Sequence, residues 1–91
     1  MICKKCFVSG RVQGVFYRGS AAQRAQELGV RGYARNLSDG RVEVLACGED
    51  GAVQTFVNWL WTGSSASKVT AVEVSDVPPD GARAGAGFHT A

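Results

Sequence analysis

The sequence holds few of the residues from which metal centres, disulfide frameworks and membrane spans are made. There is one histidine and there are three cysteines. Cys3 and Cys6 form a lone CxxC, with no second His or Cys pair to complete a zinc site. His89 stands apart from any candidate nucleophile and reads as a tail residue, not a general base. Neither a metal nor a cofactor is expected. No apolar run approaches the ~20 residues that cross a bilayer, and Met1 to Val8, carrying Lys4 and Lys5, is too short and too charged for a secretory signal. A cytoplasmic protein without a membrane partner is the expectation. Net charge is also small: ten Lys and Arg against eight Asp and Glu leave +2. The basic residues are spread from Lys4 to Arg83, whereas a nucleic-acid binder gathers them on one face. No nucleic-acid partner is expected, and a weak positive field suits a small anion.

What is present is an ordinary globular composition, 45% hydrophobic and 20% charged over 91 residues, enough for one domain, 1–91, with a core that needs no staple. Cys3 to Val8 is rich in apolar and β-forming residues and reads as a strand. Residues 10–16, with two glycines, read as a loop. From Tyr17 to Leu28, Ala21, Ala22, Ala25 and Leu28 recur at helical spacing, and Gly29 is placed to end the helix. Val30 to Asn36 is a second strand and Ser38-Asp39-Gly40 a turn. Arg41 to Cys47 then alternates, so the pair forms a hairpin with one buried face. Val53, Phe56, Val57 and Leu60 mark a second helix ending before Gly63. Val69 to Val77 alternates again until Pro78-Pro79. A Gly- and Ala-rich stretch, 81–87, leads into a short terminal piece. The order β-α-β-β-α-β predicts an α+β, ferredoxin-like sandwich, an antiparallel sheet with two helices on one face. That fold carries many unrelated activities, so function rests on particular residues.

The most informative segment is Gly10-Arg11-Val12-Gln13-Gly14-Val15-Phe16-Tyr17-Arg18. A glycine-punctuated loop running from a strand into a helix lets successive N–H groups converge on an anion, aided by the helix dipole. Arg18 falls in the first helical turn, where its planar fork can reach over that loop and pair two phosphate oxygens. On spacing alone a tight turn with a surface arginine is the favoured reading, and Asn36, just before a turn, taken alone reads as a cap for backbone groups.

The string from Gly10 to Arg18 closely resembles the acylphosphatase signature G-x-V-Q-G-V-x-[FM]-R. A second block, Gly32-Tyr33-Ala34-Arg35-Asn36-Leu37-Ser38-Asp39-Gly40-Arg41-Val42, followed by Gly48, resembles that family's G-[FYW]-A-[KR]-N-x-x-x-G-x-V-x-x-x-x-x-G. Two long motifs in the expected order, over nearly the whole chain, are far more specific than either alone. The resemblance implies a metal-independent hydrolase of small acyl phosphates, yielding carboxylate and inorganic phosphate. By position it implies that Arg18 and the amides of Val12, Gln13, Gly14, Val15 and Phe16 bind the phosphate and that Asn36 orients water. The chemistry is consistent: a carboxylate leaves without a general acid, so the tasks are to hold the phosphoryl group, stabilise its charge and place a water in line.

Tyr17 stands where the pattern has Phe or Met, so its hydroxyl needs water or a partner. The ending Phe88-His89-Thr90-Ala91 departs from the fuller terminal strand usual in the family. Alternation puts Cys6 and Val8 on the helix-covered face and Cys3 and Cys47 on the open one. Some bacterial acylphosphatases resemble this, with a cysteine at each matching place, so a Cys3–Cys47 bridge is one reading and two reduced thiols, as in a cytosol, the other. At least one of Trp59 and Trp61, off the main stripe of helix 2, should be partly exposed. The alternative function is a non-enzymatic ferredoxin-like module binding a phosphorylated ligand, which would need Arg18 but not Asn36. An RNA-recognition domain shares the element order but needs aromatics on its central strands, and Arg41 to Cys47 has none. Nothing in the sequence demands more than a monomer.

Overall fold

The computed structural model describes residues 1–79 and 85–91; of the Gly- and Ala-rich stretch, 81–84 lie outside the described residues. The elements are β1 (Ile2–Arg11), α1 (Tyr17–Leu28), β2 (Arg31–Asn36), β3 (Val42–Gly48), α2 (Asp50–Thr62), β4 (Lys68–Val77) and β5 (Phe88–Thr90). They form one sheet in the order β4-β1-β3-β2-β5. The four expected strands pair antiparallel, and β5 adds a short parallel edge to β2.

Period-two alternation sorts the sheet. Cys6, Val8, Ala34, Val42, Val44 and Ala46 face the helices and pack in one core with Tyr17, Ala21 and Ala25 of α1 and Val53, Phe56, Val57 and Leu60 of α2. The apolar stripes read from the sequence are the faces that α1 and α2 bury. Trp59 packs against this core, while Trp61 is 53% exposed. On the other face Cys3, Leu45 and Cys47 form a second small cluster with Tyr33 and Val77. Cys3 stands directly across from Cys47 in the β1–β3 register, and the two are joined by a disulfide.

β1 runs three residues beyond the expected Val8. Its register against β4 shifts between Ser9 and Gly10, so the strand bulges there and goes on pairing to Arg11. Gly10 makes this possible: its φ is +118°, and a Cβ there would stand 2.1 Å from the Lys68 carbonyl oxygen. The bulge delivers the following loop to the end of the sheet where β2 turns into β3.

Candidate active site

Residues 12–16 link β1 to α1 and are held at several points. Val12, 1% exposed, and the half-buried Val15 sink into the core. The Val15 carbonyl accepts a hydrogen bond from Ser64 Oγ at 2.7 Å. Between and after these anchors the backbone is left-handed at Gly14 (φ 73°) and again at Phe16 (φ 61°). Alternating handedness of this kind builds the backbone concavities that bind anions. Phe16 is also the N-cap of α1, where no side chain caps the helix and no acidic residue stands in the first turn. No carboxylate of the first turn compensates the positive end of the α1 dipole.

Arg18 lies in that first turn, and its Nη1 donates to the Ala91 carbonyl oxygen at 2.8 Å. Ala91 is itself tied to β2, its N–H donating to the Ala34 carbonyl at 2.9 Å. Asn36 is the last residue of β2, exposed and paired with Val42. The turn after it is closed by other groups. The Leu37 N–H bonds the Arg41 carbonyl at 2.8 Å, and the Asp39 carboxylate accepts from the Arg41 N–H at 3.0 Å and from its Nε at 2.8 Å. Those Arg41 donors, backbone first, hold the Asp39 carboxyl below its usual value. Gln13 straps the loop to the same turn, its Nε2 donating to the carbonyls of Leu37 at 2.7 Å and Arg41 at 2.9 Å.

A cleft of about 270 Å³ opens where these pieces meet, lined by Val12, Gly14, Phe16, Tyr17, Arg18, Gly19, Asn36 and Thr90. Five of the seven residues singled out in the two motifs therefore lie on one cavity. Gln13 and Val15 do not line it; their side chains secure the loop. The Tyr17 hydroxyl points away from it and donates to the Leu60 carbonyl at 2.7 Å. Thr90 was not legible as a site residue, because it belongs to no motif and arrives through the parallel pairing of β5 with β2. His89, one position earlier, is exposed beside Tyr33, with ring centroids 6.4 Å apart. A hollow of about 320 Å³ near Lys4, Asp50 and Asp76 contains none of the motif residues.

Arg18 is the one charged residue among those lining the cleft. The cleft can therefore hold an anion through a fixed guanidinium and backbone donors and can orient a small polar molecule on an amide. It offers no carboxylate or imidazole to shuttle a proton. Among the described residues no group of three or more His, Cys, Asp or Glu could hold a metal ion, and no helix is long and apolar enough to cross a membrane.

A sequence profile of the acylphosphatases matches residues 4–90. The chain belongs to the acylphosphatase family. It is 56% identical over 80 residues to an acylphosphatase of Chromohalobacter salexigens, an alignment covering 85% of this chain and 89% of that protein. In three dimensions it is similar to the acylphosphatase of Bacillus subtilis, with a TM-score of 0.92 at 35% identity over 100% of this chain and 99% of that one. The acylphosphatase of Coxiella burnetii gives 0.91 at 36% identity, over 99% and 92% of the two chains. The chain thus shares the fold of these acylphosphatases.

Proposed function

We propose that this cleft hydrolyses small acyl phosphates, with the loop amides of Val12 to Phe16 and Arg18 holding the phosphoryl group and Asn36 the attacking water. The observation that carries the reading is the meeting of Arg18 and Asn36, from separate elements, on one cavity at the uncapped start of α1. Water attacks phosphorus, the bond from phosphorus to the acyl oxygen breaks, and the carboxylate departs with the electron pair. A carboxylate is stable as formed, so no acid is required at that oxygen. With no side-chain base in the lining, the water's proton passes to a phosphoryl oxygen. The guanidinium and the amides act on the charge spread over the phosphoryl oxygens and are already oriented before reaction. Asn36 supplies both an acceptor and a donor to fix the water in line. Neither a metal nor another cofactor has a task in this scheme.

Residues 1–91 work as one domain on a small-molecule partner, as a cytoplasmic monomer. The Cys3–Cys47 bridge is compatible with a reducing compartment because its residues are 3% and 0% exposed, which keeps thiol reductants from the sulfurs.

The test is the loss of benzoyl phosphate absorbance in the presence of a chelator. The native chain is expected to hydrolyse it, and Arg18→Ala and Asn36→Ala each to lose about 10²–10³ in kcat, the usual effect of removing one preorganised polar group. Inorganic phosphate should still bind to Asn36→Ala and inhibit its residual turnover, while Arg18→Ala should lose that binding. Folded native protein that leaves benzoyl phosphate intact would sink the proposal and leave a phosphate-binding module in its place.

A further inference from the structure

Phe16 is unusual in three respects at once. It is the one non-glycine residue with positive φ among those described, a conformation unfavourable for a bulky side chain and kept where the surroundings require it. The residue is 73% exposed, although large apolar side chains are generally buried. And the residue lines the same cleft as Arg18 and Asn36. The side chain is not loose: it lies across the first turn of α1, on the bare Cα of Gly19. A Cβ at Gly19 would stand 2.5 Å from Phe16 Cε1 and 2.6 Å from Cζ, so the ring occupies the space that any larger residue there would fill.

We infer that the Phe16 ring is the platform for the acyl group, and that this protein favours acyl phosphates whose acyl part is aromatic or extended and apolar over those with a small one such as acetyl. The inference rests on the acyl phosphate reading of the cleft. With the phosphoryl group against the loop amides and Arg18, the acyl group must leave the cradle toward solvent. The other large apolar side chains of the lining offer it nothing, since Val12 and Tyr17 are each 1% exposed. Among the lining residues Phe16 is the one large apolar residue left exposed. Its left-handed backbone turns the ring outward while its backbone amide stays in the cradle, so one residue serves phosphate with its main chain and the acyl group with its side chain. A ring with two rotatable bonds, already pressed on Gly19, loses little freedom when a second flat group stacks on it.

The experiment compares kcat/KM for benzoyl phosphate and acetyl phosphate in the full chain, as a ratio normalised to the native protein. Phe16→Asn is the informative change, because asparagine tolerates the left-handed conformation and removes the ring. The benzoyl-to-acetyl ratio should fall roughly three- to tenfold, the range of an aromatic stacking contact, mainly through KM for benzoyl phosphate. Phe16→Tyr keeps the ring and should retain the ratio, a rescue that a purely structural role would not predict. An unchanged ratio in Phe16→Asn, however far both activities fall, overturns the inference. Should that chain not fold, Gly19→Ala decides instead, since its methyl group must push the ring aside and lower the same ratio. Native protein that hydrolyses neither substrate would overturn the acyl phosphate reading itself, a result distinct from an active enzyme with an unmoved ratio.

Discussion

Tyr17 sits at the junction of the site and the core. It is the first residue of α1 and 1% exposed, and it places a hydroxyl where the related motif has an apolar Phe or Met. Its partner is the Leu60 carbonyl in the last turn of α2, at 2.7 Å. The final carbonyls of a helix have no intrahelical donor, so Tyr17 satisfies one of them and fastens the start of α1 to the end of α2. Burial is the first cause that pushes the phenol's pKa well above its ordinary value, and the hydroxyl remains a donor at every physiological pH. Tyr17→Phe keeps the packing but leaves the carbonyl buried and unanswered. A loss of about 1–3 kcal/mol is expected, read as a lower urea midpoint with an unchanged slope. An unchanged midpoint would show that water replaces the hydroxyl. The need for a partner was legible from the residue type alone, but Leu60 was not, because nothing local in the sequence says which carbonyl lies over the start of α1.

At the scale of elements, what could be read was what has a period. The helices announced themselves by stripes, and β3 by its alternation, because each packs a face whose spacing is written in the chain. Two features lacked such a signal. β1 runs on past Gly10 because a bulge preserves pairing where glycine suggests a loop. β5 is three residues long, too short for periodicity, and exists because β2 offers it a parallel edge. Alternation also misleads in β3, where Val42 to Cys47 are all buried, Glu43 among them. Glu43 faces the open side of the sheet, and β1 and β2 answer it there. Arg35 donates to it at 3.0 Å, the Tyr33 hydroxyl bonds it as well, and Lys5 Nζ stands 3.7 Å away. Burial raises its carboxyl pKa, but the bonds from Tyr33 and Arg35 and the charges of Arg35 and Lys5 outweigh it, leaving the group below its usual value. A carboxyl whose folded pKa is depressed contributes stability above its unfolded pKa, and that stability is lost as pH falls through the folded value. Unfolding free energy should therefore drop more steeply in the native chain than in Glu43→Gln from about pH 5 downward. Parallel curves between pH 7 and pH 3 would remove Glu43 from the account.

At the scale of the whole molecule, the disulfide and the site share one stretch of chain. Cys3 and Cys47 are 44 positions apart, and the segment between them contains residues 12–16, Arg18 and Asn36. Closing it restricts the unfolded chain across the strands, loop and helix that carry residues 12–16, Arg18 and Asn36, leaving Thr90 of β5 outside the loop, and typical values for such a bridge are about 2–4 kcal/mol. The third cysteine takes no part. Cys6 is 0% exposed on the helix-covered face, and burial pushes its thiol up to about 12, so it is neither reachable nor appreciably ionised near neutral pH. Labelling with a thiol reagent should follow from this arrangement. Native protein purified without reductant should react at no cysteine, unfolded protein at Cys6 alone, and unfolded, reduced protein at all three. The double variant Cys3→Ala/Cys47→Ala should unfold at lower denaturant, by about the 2–4 kcal/mol of the bridge and with an additional loss from the vacated packing. Three reactive thiols in unfolded protein that has met no reductant would mean that the bridge does not form in the cell. In that case the double variant and the native chain would differ only by the packing of two small side chains.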